Sequence, residues 1–322
     1  MSDKGTKRIT QRLVAVILTF CVLTSGVVGV VSVSTPVAAA SQSTSVSTCT
    51  TISQPGVYDI TANLTNSSAS CLDIESDDVV LNGNGHTITG NGSGVGIAVG
   101  NGTAISNVTV RNVTVDTWRT GVRLNNTDES TLDSVTSTNA SLLGMQIALG
   151  SDRNEIVEST VGGSPSVGFA VTASNETVIR NSSVSDTAIS ALYTNGSSTT
   201  TQAYNLSIGN STSSSRVDIV GTDVDVQTVS SPPVDPTDVT NISKYVHVSP
   251  TGNESTVDIT QYYTDADLGA VNESSLTMYR YDGNWSTVNA SMSPIHNMDE
   301  NWMIVEGPNE YGTFALMGTA ET

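Results

Sequence analysis

Between about Gly94 and Ser213 the sequence repeats itself, and this periodicity narrows the fold more than any other feature of the chain. The hexamers VRNVTV (110–115), LDSVTS (132–137), IVESTV (156–161), IRNSSV (179–184) and AYNLSI (203–208) align. Their third members are Asn112, Ser134, Glu158, Asn181 and Asn205, at steps of 22, 24, 23 and 24 residues. Half a period earlier a second family runs in phase: GIAV (96–99), GVRL (121–124), GMQI (144–147) and GFAV (168–171). Two strand-like signals locked to one period mean stacked units, none of which buries its apolar side alone. The units are dense in Thr, Val, Ser, Asn and Gly and lack Ala, Leu, Glu and Lys at helical spacing, which excludes helical repeats. They also lack a leucine scaffold. What remains is a parallel β-helix, with equivalent positions of successive turns stacked about 4.8 Å apart. Alternation then places Ile97, Val122, Met145 and Phe169 inside, followed by Val99, Leu124, Ile147 and Val171, with Ala98, Arg123, Gln146 and Ala170 outside. The column Asn112, Ser134, Glu158, Asn181, Asn205 is expected to be structural, its asparagines forming an amide ladder between turns.

With the preceding segment VLNGNGHTI (80–88), these repeats resemble the right-handed β-helix proteins of the pectin-lyase-like superfamily, in particular the NosD-like surface proteins of salt-loving archaea. The resemblance covers roughly Cys49 to the C-terminus. It implies an all-β fold: a single-stranded, right-handed parallel β-helix followed by a small β-sandwich. It places His86 in a structural turn. For function it is open, because the fold carries lyases, hydrolases, adhesins and other proteins.

Residues 1–40 read as a signal peptide, with a basic start (Lys4, Lys7, Arg8, Arg12), an apolar run from Leu13 to Val33 and a small-residue cleavage site at 37–40. The apolar run is also long enough to span a membrane as a retained anchor. Either way the remainder is expected outside the cell or at its surface, and no second anchor is expected. The chain holds 12 basic and 31 acidic residues. Without the leader's four basic residues and Asp3, 8 face 30, a net charge of about −22. Such a chain repels nucleic acid and anionic lipid. Scattered acids with almost no lysine fit a surface adapted to molar salt, where screening acts within about 3 Å. Cys21 leaves with the leader; Cys49 and Cys71 remain as an even pair expected to form a disulfide, bracketing a first strand at 56–60. Sequons are plentiful, and Asn63, Asn66, Asn91, Asn101, Asn139, Asn175, Asn195, Asn241, Asn272 and Asn284 are glycosylation candidates.

The expected organisation is a linker at 41–48, the β-helix at 49–215, and at 216–322 terminal strands, a Pro-rich linker (231–236) and the sandwich. Past the prolines, short strands are expected at 245–248, 255–259, 276–281, 285–288, 302–305 and 313–317. Two of the three tryptophans and most tyrosines lie there, read mainly as core.

Chemistry is sparse. Superfamily hydrolases use two or three carboxylates, and lyases use calcium-binding acids with a basic residue. The outward column before the asparagines reads Arg111, Asp133, Val157, Arg180, Tyr204, without carboxylates on adjacent turns. The best catalytic grouping is Asp116, Arg119, Arg123 and Asp133 on one flank, better explained as a surface ion-pair group. For metals, Asp265 and Asp267 offer a thin calcium motif. Met292, His296, Met298 and Met303 are the soft donors that NosD-like copper handling needs. No cofactor beyond such a calcium is expected. The reading favoured is a secreted or cell-surface, non-enzymatic carbohydrate- or protein-binding or structural module of a halophile. Its partners would be surface glycans or a surface-layer protein. The alternatives are a polysaccharide lyase or glycoside hydrolase of this fold, and a NosD-like copper-handling protein.

Overall fold

The computed structural model describes residues 42–66, 69–100, 102–163, 166–187, 189–196, 200–210, 214–229, 231–288, 294–307 and 311–321. Its strand register is the one the repeat dictates. In the smaller of two large sheets Ile97 lies beside Val122, then Met145, Phe169 and Leu192 in successive parallel strands. All five are fully buried. In the larger sheet Val110, Leu132, Ile156, Ile179 and Ala203 form the same kind of inward column. Each apolar side chain packs on its equivalents one turn away, so the core is a continuous stack that no single turn could make.

In three successive turns four corners bend the chain, and each is a residue with left-handed φ. In the turn that starts with strand Thr109–Asp116 they are Asn112 (51°), Thr117 (60°), Asn126 (56°) and Glu129 (50°). The next turn has Ser134, Asn139, Leu149 and Arg153, and the one after it Glu158, Gly163, Ala173 and Glu176. Left-handed backbone costs an ordinary L residue roughly 1–2 kcal/mol, and Asn tolerates it best after Gly. The two asparagines on adjacent turns meet as expected of an amide ladder, Asn205 Nδ2 donating to Asn181 Oδ1 at 2.9 Å; Glu158 and Ser134 carry no amide to extend it. The column holds Asn because the corner needs positive φ, and the one amide bond is an addition. Buried hydroxyls satisfy the backbone just past the corners: Ser151 Oγ accepts from Thr127 N, and Ser174 Oγ from Ser151 N.

The glycines that open the second family answer a different need. A Cβ on Gly144 would meet Val161 Cγ1 at 2.2 Å, and one on Gly121 would meet Ser137 Oγ at 2.1 Å. Here the smaller sheet begins hard against the inward side chains of the larger one, and only hydrogen fits.

At the N-terminal end Gly56–Ile60 is a strand but not the first: Thr44–Val46, inside the expected linker, pairs parallel with it, and Thr50–Ile52 lies between them in the chain; Cys49 and Cys71 form a disulfide across adjacent turns. At the other end the chain reverses. Strand Ser214–Thr222 pairs antiparallel with Thr201–Gly209, and Val224–Thr228 antiparallel with Ser190–Asn195. Thr256–Tyr262, Trp302–Val305 and Ile295–Asn297 then extend the larger sheet. Thr240–Pro250, Gly312–Gly318, Thr277–Tyr281 and Trp285–Thr287 extend the smaller. The expected C-terminal strands are present, but both sheets run through position 216 and past the prolines without a break. Val217, Ile219, Val246, Val248, Ile259 and Phe314 prolong the same buried core. The Pro-rich segment connects two neighbouring strands of one sheet, because its prolines sit where no ladder hydrogen bond is needed.

Candidate functional site

The four residues of the expected catalytic flank are not brought together. Asp116 and Asp133 stand on the larger sheet, separated by a left-handed corner, while Arg123 stands on the smaller sheet and Arg119 in the exposed turn between them. Asp116 is spent on structure: its Oδ1 accepts from Thr138 Oγ1 and Asn139 Nδ2, both at 2.9 Å. Partial burial pushes this carboxyl up, but Asn139, Thr138 and Thr117 together outweigh it and hold it below its ordinary value. An acid held ionised does not serve as a proton donor near neutrality. Asp133 accepts from Ser134 Oγ at 2.8 Å. Other acids cap backbone at a corner: Asp128 accepts from Asp152 N, and Asp152 from Asn175 N. Part of the acidity is therefore the way the turns are sewn together.

The metal candidates are also dispersed among protein partners. Asp265 accepts from Asn301 Nδ2 at 2.8 Å. Asp267 closes a capping box with Thr264 and pairs with Lys244 at 3.1 Å. His296 Nε2 lies 2.7 Å from the Tyr263 hydroxyl, which also donates to Glu273. Met298 is half exposed, Met303 is core, and Met292 lies outside the described residues. No group of three His, Cys, Asp or Glu side chains gathers among the described residues. His86 sits in a turn, its Nδ1 facing Asn63 Oδ1 at 3.3 Å.

Among the glycosylation candidates, Asn63, Asn91, Asn139, Asn272 and Asn284 are exposed, and Asn66, Asn175, Asn195 and Asn241 half-buried. Asn195 gives its amide to Tyr193 and Thr251, and Asn241 to Asp235. Asn101 and the leader lie outside the described residues.

What the structure does assemble is a cleft on the outer face of the smaller sheet, where its parallel strands meet the first antiparallel one. Its volume is about 260 Å³. Ala170 forms the floor between Gln146 and Tyr193, its neighbours on the adjacent strands. Leu143, Val167 and Ile189 supply an apolar side, Ile189 being 56% exposed. Asp225 lines the far wall, in register with Tyr193. Asp225 Oδ2 accepts from Gln227 Nε2 at 2.6 Å. Its Oδ1 is buried without a hydrogen-bond partner among the described residues, as is Oγ of Ser190, a lining residue 1% exposed. One carboxylate lines the cleft among the described residues. Nearby His247 is held below its ordinary value by burial, against the pull of Asp225.

Gln146 and Ala170 were legible as outward positions, but Tyr193, Ser190 and Asp225 were not read as a site. One more period after GFAV gives ALYT (191–194), and Ala191 in place of glycine hides the repeat. The C-terminal rings are largely engaged by their own chain: Trp285 Nε1 donates to Val234 O, Tyr245 to Asp235, and Arg216 stacks 4.0 Å over Tyr262.

A family model described as a right handed beta helix region matches residues 93–231. No curated protein matches the chain. Among solved structures, a hyperthermoactive exopolygalacturonase from Thermotoga maritima is 14% identical, over 48% of this chain and 47% of that one, with a TM-score of 0.32. ORF18 of Geobacillus virus E2 is 10% identical over 79% and 50%, with a TM-score of 0.38. The catalytic domain of a GH87 α-1,3-glucanase, in complex with tetrasaccharides, is 16% identical over 45% and 32%, with a TM-score of 0.24. The chain spans half or less of each of these solved chains, and likenesses at such TM-scores do not bear on its chemistry. The in-register columns and the family match agree that residues 93–231 fold as a right-handed parallel β-helix.

Proposed function

We propose that this protein is a secreted or cell-surface module of a salt-adapted organism that binds carbohydrate and does not turn it over. One observation carries the reading. The cleft joins an aromatic ring, an apolar side and the polar side chains of Gln146 and Asp225 on one sheet, the composition of a site that holds a small hydroxylated ligand, yet one carboxylate lines it among the described residues. Hydrolysis of a glycosidic bond uses two, about 5–9.5 Å apart. The strongly acidic composition supports a high-salt, extracellular setting, since carboxylates keep water and cations at the surface while salt screens their repulsion. The scattered His and Met donors give no support to copper handling.

The test is to express residues 41–322 folded in high salt and present them with neutral and acidic polysaccharides, recording retention together with release of reducing or unsaturated ends. Retention without product is the expected result. Product formation would replace this reading by an enzyme, and the absence of both would leave a structural spacer.

A further inference from the structure

Resting on the carbohydrate-binding reading, we infer that the cleft takes a neutral pyranose residue and rejects uronic acids. The charges in it are one-sided. Asp225 is the acidic side chain lining the cleft among the described residues, and no Lys, Arg or His lines it there. The nearest cationic side chain on this column, Arg123, is two strands from Ala170, beyond Gln146, or roughly 10 Å at the spacing of a sheet. A uronate seated on Ala170 would set its carboxylate against Asp225 with no counter-charge, and like charges in a partly dehydrated site repel strongly.

The polar side chains of the lining ask for uncharged hydroxyls. The Asp225 carboxylate accepts, and the Gln146 amide on the opposite side of Ala170 both gives and accepts. Hydroxyls on two sides of a pyranose supply complementary groups. The apolar half of the ligand is matched as well. A pyranose carries an apolar C–H face, for which the Tyr193 ring and the Leu143–Val167–Ile189 side offer cover. Depth comes from Ala170, because any larger side chain at this outward position would fill the 260 Å³ cleft. The antiparallel strand Val224–Thr228 supplies Asp225, so the site depends on the point where the solenoid passes into its C-terminal section.

The experiment is calorimetric titration of the full chain, in high salt, with neutral oligosaccharides and with oligouronates of equal length. It is repeated with Ala170→Phe, Tyr193→Ala and Asp225→Asn, each checked for a wild-type melting curve. The inference predicts binding of a neutral oligosaccharide and none of the oligouronates. Ala170→Phe and Tyr193→Ala each weaken it at least tenfold. Asp225→Asn, which preserves shape, weakens the neutral ligand several-fold and admits the uronate. Wild-type binding of oligouronates that Ala170→Phe abolishes would overturn the ligand class and leave carbohydrate binding standing. Neutral binding indifferent to Ala170→Phe and Tyr193→Ala would remove the cleft from the account. Binding of no glycan at all would remove the reading on which the inference rests.

Discussion

A residue at a left-handed corner bears a backbone cost that its side chain offsets only where it finds a partner, so the corners are where single substitutions are easiest to foresee. Leu149 is the clearest case: φ is 55° and the side chain is 65% exposed, so it suffers the steric penalty without packing to offset it. Leu149→Gly is expected to stabilise the protein by about 1 kcal/mol, seen as a higher denaturant midpoint at unchanged slope. A fall in the midpoint would mean that the exposed leucine is held by a contact the geometry does not reveal. The corner at Asn139 is tied to charge, because its amide helps hold Asp116 ionised. With the folded-state value of Asp116 below its ordinary 3.8, its contribution to stability is complete above that value and is lost as pH falls through the lower one. Comparing wild type with Asp116→Asn should therefore show a stability gap at neutral pH that closes under acid. A gap that widens toward low pH would reverse the sign of the shift.

At the scale of the strand, the sequence displayed what recurs and hid what does not. The inward columns were legible because Val, Ile, Leu and Phe recur at fixed phase, and burial leaves them no alternative. The corners at Thr117, Asn126 and Glu129 were not, since positive φ there is shared among Thr, Asn, Leu, Ala, Arg and Glu, and no residue type marks it. The outward positions of the cleft have no apolar constraint and drift, so Tyr193 and Asp225 could be placed only once strand neighbours were known. The glycines at 121, 144 and 168 were visible as a repeat, but their reason, a wall of side chains about 2 Å from the missing Cβ, is a property of the stack. Gly144→Ala should accordingly cost about 1–3 kcal/mol by overpacking against Val161. Restoring space with Val161→Ala in the same chain should recover part of that loss, and a purely additive double mutant would show that the two sites do not compete for volume.

Across the whole molecule, the C-terminal section behaves as an ending for the solenoid. A stack of parallel strands stops with unpaired backbone edges that invite association. Here the edges of Thr201–Gly209 and Ser190–Asn195 are taken up by Ser214–Thr222 and Val224–Thr228, and the added strands finish on three-residue edges, Trp285–Thr287 and Ile295–Asn297. The strands beyond 237 in turn pair onto 214–222 and 224–228, and Val246, Val248, Val257 and Ile259 are buried in one core with Val217, Ile219 and Val226. Detached at the prolines, a fragment of residues 237–322 would expose two long strand edges and half of that core. It is expected to lack a cooperative melt, while residues 41–322 lose both sheets together. Circular dichroism and tryptophan emission decide the matter, because Trp118 reports on the solenoid and Trp285 and Trp302 on the end section. Coincident transitions in the intact chain, with an unfolded fragment, make the cleft at Asp225 a feature of one continuous body. A fragment that melts cooperatively by itself would instead make it a junction between two independent ones, open to relative motion.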